Sequence, residues 1–398
     1  MRILWVKAGG LLPLDSGGRI RSYNLVRELA KAHQVTFFGF HGQEDEAAHA
    51  ELNSICEQVV CFPLQLPSPK SVGESFRYLA GLASREPYSI RKYYRPHVAR
   101  ELDALVKKGN YDVIVCDFVC AASVIPWDSP SHKVLFTHNV EATIWKRHYE
   151  VASNPVWKFI AWREWRAMER AENGHLRKAD LVLAVSNADR DVFARVISPE
   201  KLRVIPTGVD IDYFAPRPAA EEENLLVFTG SMDWLPNEDG VFYFAKEILP
   251  RISQAVPAVR LIVVGRKPSR RLEALAAENN QIQLTGWVED VRPHVARASA
   301  CVVPLRVGSG TRLKIFEAMS MGKAVISTTI GAEGLPVDSG RHLLLADRPE
   351  DFAKAAVLLL QNKSERRRLG AEARTLVETK FSWASVASEF EHALHNSR

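Results

Sequence analysis

The chain has 398 residues, 46% of them hydrophobic and 25% charged, and its 52 Lys and Arg against 47 Asp and Glu give a net charge of +5. That length exceeds one comfortable core and suits two α/β domains, and the composition is that of an ordinary folded protein. The small basic excess fits anionic ligands such as nucleotide diphosphates or acidic lipid headgroups, and it is too weak for a dedicated nucleic-acid binder, so no nucleic-acid partner is expected.

The first residues, MRILWVKAGG, run straight into a strand without a long apolar core or a small-residue cleavage site, so no signal peptide is expected. No run approaches the ~18 apolar residues of a spanning helix. Cys116 closes the apolar run DVIVC and Cys301 opens CVVPL, where cysteine acts as a small hydrophobe. Cys116 and Cys120 have no second Cys or His pair at matching spacing, so no metal site is expected. The five cysteines fit a reducing cytoplasm.

In chain order, the first half predicts strands at Arg2–Val6, Val35–Phe40, Gln58–Phe62, Asp112–Cys116, Lys133–Thr137, Asp180–Val185 and Leu202–Ile205. Gly17 and Gly18 stand in a loop after the first strand, ahead of the helical run RIRSYNLVRELAKA; they lack the G-x-G-x-x-G spacing and are expected to close on a phosphate. His138 follows the strand KVLFT directly, where an α/β sheet places functional groups, with Asn139 and Glu141 as neighbours.

The stretch Ala142–Lys178 holds Trp145, Trp157, Trp162 and Trp165, with eight Lys or Arg against four Glu. Trp157, Ala161, Trp165 and Met168 share one helical stripe. Such a basic amphipathic helix can lie on an anionic membrane, a peripheral contact; packing of the stripe against the N-terminal sheet is the preferred reading.

The segment Pro206–Asn224, PTGVDIDYFAPRPAAEEEN, breaks the pattern with three prolines, a glycine and three consecutive glutamates and reads as a linker. Beyond it, strands are predicted at Leu225–Thr229, Arg260–Val264, Ile282–Thr285, Ala300–Pro304 and Ala324–Ser327. Helices are predicted near Pro349–Gln361, Ser364–Thr379 and Ser382–His395, and the basic run Arg366–Arg368 is read as a solvated helix face. Strands alternating with helices in both halves predict an α/β fold of two doubly wound, Rossmann-like parallel sheets, with ligand sites beyond the carboxyl ends of the strands.

The most informative stretch is Cys301–Thr328, CVVPLRVGSGTRLKIFEAMSMGKAVIST. A buried strand leads through a glycine-rich loop into a helix. Gly308 and Gly310 permit close backbone approach, and amides at the helix start attract phosphate. Arg312 adds a bidentate donor and Lys314 a mobile charge, while Glu317, one turn beyond Lys314, is placed to accept hydrogen bonds from ribose hydroxyls.

The second half resembles the GT-B glycosyltransferases, specifically the retaining enzymes of glycosyltransferase family 4 (group 1). The matching segments are VIPTGVDIDYF (Val204–Phe214), LVFTGSMDWLPN (Leu226–Asn237), TGWVEDV (Thr285–Val291), Gly308–Thr328 and GAEGL (Gly331–Leu335). They cover about residues 180 to 395. The first half is similar through Gly17–Gly18 and THNVE at Thr137–Glu141.

The resemblance implies an N-terminal acceptor domain (1–205), a C-terminal donor domain (206–380) and a final helix (381–398) crossing back to the first, the two domains facing across a cleft. It implies transfer of a sugar, with retention, from a nucleotide-diphosphate sugar to a saccharide or lipid-linked acceptor, in bacterial polysaccharide or glycolipid synthesis. Donor contacts would come from Gly17, Gly18, Gly230, Ser231, Arg266, Trp287, Val288, Gly310, Thr311 and Glu317, with the nucleobase beside Trp287 and Val288 and the ribose on Glu317. His138 would face the donor sugar, and Arg312 and Lys314 would neutralise the leaving diphosphate. No metal or other cofactor is expected.

Two departures stand out: Ser309 occupies the position of a family glutamate, and GSMDWLPN (Gly230–Asn237) lacks the Arg and Lys usual after the domain's first strand. Arg312 and Lys314 would compensate for the second. A nucleotide-sugar epimerase of the same fold and a non-catalytic sugar-nucleotide binder remain alternatives; a dehydrogenase is disfavoured by the missing dinucleotide fingerprint.

Overall fold

Two parallel β-sheets carry the fold, and their strands are the apolar runs of the sequence. The computed structural model describes residues 1–14, 16–42, 46–66, 71–81, 84–152, 154–218, 220–307 and 313–397. The chain divides into two compact units: Met1–Pro206 together with Val386–Arg398, and Thr207–Ser385.

In unit 1 the described strands are β1 (Arg2–Lys7), β2 (Gln34–His41), β3 (Gln58–Pro63), β4 (Val113–Asp117), β5 (His132–Phe136), β6 (Leu181–Ala184) and β7 (Leu202–Val204). They lie in the order β3-β2-β1-β4-β5-β6-β7, every pair parallel. Ile3, Leu4, Val113, Ile114, Leu135 and Val182 are wholly buried. Helices cover both faces, which is why these strands read as unbroken apolar runs instead of alternating ones. From the last helix, Trp383–Asn396, the Phe390 ring stacks on Trp5 at 5.6 Å and meets Phe136 edge-on at 5.5 Å.

The helix Pro155–Lys178 starts with an Asn154 side chain that accepts the Val156 and Trp157 amides at 2.9 and 3.1 Å, followed by proline at its first position. Ala161 and Met168 are buried and Trp165 packs against the unit 1 core. Three of the four residues of the stripe therefore face inward, whereas Trp157, near the start of the helix, is 44% exposed beside Trp145 and His148.

Unit 2 contains β8 (Leu225–Thr229), β9 (Arg260–Val264), β10 (Ile282–Leu284), β11 (Ala300–Val303), β12 (Val325–Ser327) and β13 (Leu344–Leu345), in the parallel order β10-β9-β8-β11-β12-β13. β13 was not legible: two residues carry no periodicity.

The expected linker is mostly part of unit 2. Val209 N–H donates to Phe381 O at 2.8 Å, and Arg292 stacks over the Tyr213 ring at 3.5 Å. Glu222 pairs with Arg260 at 2.8 Å and Arg297 at 2.6 Å, and Glu221 with Arg366. The glutamate run thus dresses unit 2 instead of spacing two domains. Arg366 also departs from the solvated-face reading. It is buried and donates to Leu360 O at 3.0 Å, giving the carbonyls at the end of helix Pro349–Gln361 a cationic partner.

In each sheet the first strand lies between strands that wind away in opposite directions: β1 between β2 and β4, β8 between β9 and β11. The crevices beyond the carboxyl ends of these pairs are where open α/β sheets hold ligands.

Candidate functional site

In unit 1, Lys7 ends β1 and Asp117 ends β4, and the parallel register sets them side by side. Asp117 is fully buried. Its Oδ2 accepts hydrogen bonds from Trp5 Nε1 at 2.8 Å and Lys7 Nζ at 3.0 Å, and its Oδ1 accepts one from His138 Nε2 at 2.7 Å. Lys7 also donates to Ser22 Oγ at 2.9 Å. Burial alone would push the Asp117 carboxyl up. The Lys7 charge and the His138 hydrogen bond outweigh it and hold the group well below the usual carboxylate range.

Burial is also the larger influence on His138, pushing its pKa down to about 4 against the pull of Asp117. The imidazole is neutral at physiological pH. Since Asp117 accepts from Nε2, the proton resides there and Nδ1 bears the lone pair. Phe136 and Phe118 contact the ring edge-on, at 5.0 and 5.4 Å between centroids. Phe118 holds a left-handed φ of 76°, a strained conformation directly after β4.

Gly17 and Gly18 differ from expectation. They form the first turn of the helix Gly17–Leu29, not a loop, so amides without intrahelical partners lie there, beside the carboxyl ends of the strands. A Cβ added at Gly18 would stand 3.7 Å from His138 Nδ1, so the structure brings this glycine and this histidine together. The helix is fixed by Arg21, which is buried over the Phe136 ring at 4.1 Å and donates to Thr137 O at 2.6 Å and to Ile205 O. Burial lowers the Arg21 pKa to about 9, leaving it cationic. Glu141 starts the following helix, Glu141–Val151, whose first amides are capped at 3.0 and 3.2 Å by the Glu172 carboxylate.

In unit 2 the candidates gather along the carboxyl edge of four neighbouring strands. After β8, Gly230 has φ +151°, and a Cβ there would meet Lys314 Nζ and Asn237 Nδ2 at 2.7 Å each, so only glycine fits. Lys314, on the helix Leu313–Ser320 that follows β11, donates to Asn237 Oδ1 at 2.7 Å and sits over the Phe228 ring at 4.1 Å. Asn237 donates in turn to Ser231 O at 2.8 Å. Arg266, beyond β9, donates from Nε to Ser231 Oγ at 3.0 Å. A neighbouring strand thus supplies arginine at the place where GSMDWLPN has none.

Glu317 lines a small recess with Lys314, Thr229 and Val303. Burial pushes its carboxyl up to about 7, against the pull of Lys314. Trp287 and Val288 follow β10, and the Trp287 ring is exposed. Gly310, Thr311 and Arg312, with Gly308 and Ser309, lie outside the described residues.

Sequence reasoning missed Asp117, Lys7, Arg21 and Asn237. A signal existed for the first two: each is the polar residue that ends an apolar run, ILWVK and VIVCD. Among the described residues, no group of three His, Cys, Asp or Glu side chains is placed to hold a metal ion.

Solved structures share this fold. The fold resembles sucrose-phosphate synthase from Thermosynechococcus elongatus, with TM-score 0.73, 20% identity and coverage of 99% of this chain and 98% of that one. It also resembles Anabaena HepE in complex with UDP-glucose, with TM-score 0.66, 17% identity and 99% coverage of both chains. Both units thus follow the GT-B glycosyltransferase architecture. Residues 16–213 match the model described as Glycosyltransferase Family 4, and residues 223–362 the one described as Glycosyl transferases group 1. The chain belongs to this glycosyltransferase family. One relative is the MMP alpha-(1->4)-mannosyltransferase of Mycolicibacterium hassiacum, 24% identical over 82% of this chain and 80% of that protein.

Proposed function

We propose that the chain transfers a sugar, with retention, from a nucleoside diphosphate sugar to an acceptor hydroxyl of a saccharide or lipid-linked saccharide, in bacterial polysaccharide or glycolipid synthesis. The observation that carries this reading is the grouping of Lys314, Gly230, Ser231 and Arg266 on the carboxyl edge of the unit 2 sheet, with Glu317 one turn from Lys314. Cations and open backbone suit a diphosphate, and a carboxylate beside them suits a ribose. The UDP-glucose complex of HepE supports the donor class, and the alpha linkage made by the mycobacterial relative fits retention if its donor is an α-linked nucleotide sugar.

In this reading Gly310, Thr311, Arg312 and Lys314 hold the diphosphate, Glu317 the ribose, and Trp287 and Val288 the base. Within unit 1, the helix-start amides at Gly17 and Gly18 suit a phosphate and the neighbouring His138 suits a sugar hydroxyl. The bond from the anomeric carbon to the diphosphate oxygen breaks, and that carbon bonds to the acceptor oxygen on the same face. The acceptor proton passes to the departing phosphate. Arg312 and Lys314 stabilise the charge that develops there, and no metal is part of the proposal.

Lys314→Ala should weaken nucleoside diphosphate binding by about ten- to hundredfold, the value of one charged hydrogen bond. Calorimetry with UDP and GDP measures it. Unchanged affinity would remove Lys314 from the donor site.

A further inference from the structure

Folding accounts for the inward face of the helix Pro155–Lys178, but not for its outward one. Phe159 is 59% exposed and Trp162 45%, on the side opposite the buried Ala161 and Met168. The helix Val72–Leu79 adds Phe76, 72% exposed, and Leu79. Large side chains left in water on adjacent elements are unusual in a folded chain that needs them for nothing else.

The two helices are joined. Arg163 donates to Gly81 O at 3.2 Å and Ser84 O at 2.9 Å, and its guanidinium lies 5.6 Å from the Tyr78 ring centroid. The buried Glu164 carboxylate accepts the Tyr88 amide at 2.8 Å. Exposed aromatics of both elements are therefore held within one region of unit 1. Lys158, Arg166 and Arg170 flank or continue the outward face; Arg166 pairs with Glu169 at 2.6 Å, and the three cations against that one carboxylate leave the face net positive.

We propose that this surface rests on an anionic lipid bilayer. Aromatic rings seat at the level of the headgroups, and cations around them meet anionic phosphates. An apolar patch alone would suit another protein equally well; the surrounding positive charge favours lipid. The contact lies on the membrane and does not span it, since no described helix is long and apolar enough to cross. The inference goes beyond sugar transfer and uses none of the residues placed at the donor.

The test is sedimentation of the full chain with vesicles of phosphatidylcholine, with and without phosphatidylglycerol. Wild type should bind the anionic vesicles, and binding should fall with added salt. Phe159→Ala and Trp162→Ala should each weaken binding by about tenfold. Phe76→Ala, on the other helix, should weaken it as well. Thermal stability and donor hydrolysis, read in the same samples, should stay at wild-type values. Absence of binding to anionic vesicles would overturn the proposal, as would equal binding by all variants. A wild-type dimer in sedimentation velocity that Trp162→Ala dissociates would assign the face to a second copy and overturn it too. Failure of the donor reading would show in hydrolysis alone, with vesicle binding intact.

Discussion

Replacing His138 by alanine should lower sugar transfer by about 10²- to 10³-fold while nucleoside diphosphate affinity stays within a fewfold of wild type. The expectation rests on a division of labour. The diphosphate and ribose contacts are assigned to Gly230, Lys314 and Glu317 of unit 2, whereas His138 belongs to unit 1. Its Nε2–H is committed to Asp117 at 2.7 Å, which fixes one tautomer, and burial keeps the ring neutral against the pull of that carboxylate. Under the proposed function, a group so fixed would serve a reacting sugar without reorganising, and removing it would withdraw stabilisation realised in the transition state. The measurement is paired: calorimetry for the diphosphate and product formation for transfer. Near wild-type transfer by His138→Ala would show that the histidine is merely structural.

Asp117→Ala should have the largest effect on stability. The side chain is wholly buried and accepts from Trp5, Lys7 and His138 together. Truncation leaves the Lys7 ammonium, itself only 11% exposed, without its counter-charge. Breaking a buried pair from one side costs about 3–5 kcal/mol, which for a domain of this size corresponds to a Tm lower by on the order of 10 °C.

The pH dependence has a definite sign. The folded carboxyl titrates below its unfolded value of about 3.9. Its stabilisation is therefore complete above that pH and is lost as pH falls further, through the folded value. Asp117→Asn should lack this acid-dependent component. Urea unfolding at neutral and acidic pH reads both effects, and an unchanged midpoint in Asp117→Ala would contradict the buried-pair account.

The strands were legible because each is short, apolar and bounded, as strands covered on both faces must be. LIVV at Leu261–Val264 and VIVC at Val113–Cys116 show this directly. Charges were harder. Arg366 reads as one of three surface arginines, and only the fold turns it toward the carbonyls at the end of a helix and toward Glu221. Lys7 and Asp117 are separated by 110 residues, and their pairing follows from β1 lying beside β4, an adjacency that no local pattern encodes. Gly17 and Gly18 were visible as glycines, yet their place in the first turn of a helix was not.

On the helix Pro155–Lys178, the tryptophans suggested one stripe, which packs inward at Ala161, Trp165 and Met168 but leaves Trp157 exposed. The outward aromatic face was masked by it, since both faces of that helix are apolar near its start. At the donor site, Lys314 and Glu317 were legible from the spacing of one helix. Asn237, which fixes Lys314 at 2.7 Å, lies on another segment 77 residues away and carried no signal of its own.

The central claim, cleavage of a nucleotide sugar with retention, is tested most directly by proton NMR of the protein with GDP-mannose and UDP-glucose, water serving as a surrogate acceptor. The account predicts slow release of free sugar from one of these donors, its α-anomer appearing first, with the nucleoside diphosphate in equal amount. That release should be lost in Lys314→Ala. A nucleotide sugar converted to its epimer without release would identify an epimerase instead. Tight donor binding with no turnover at all would make the chain a sugar-nucleotide binding protein, and either result would contradict the claim.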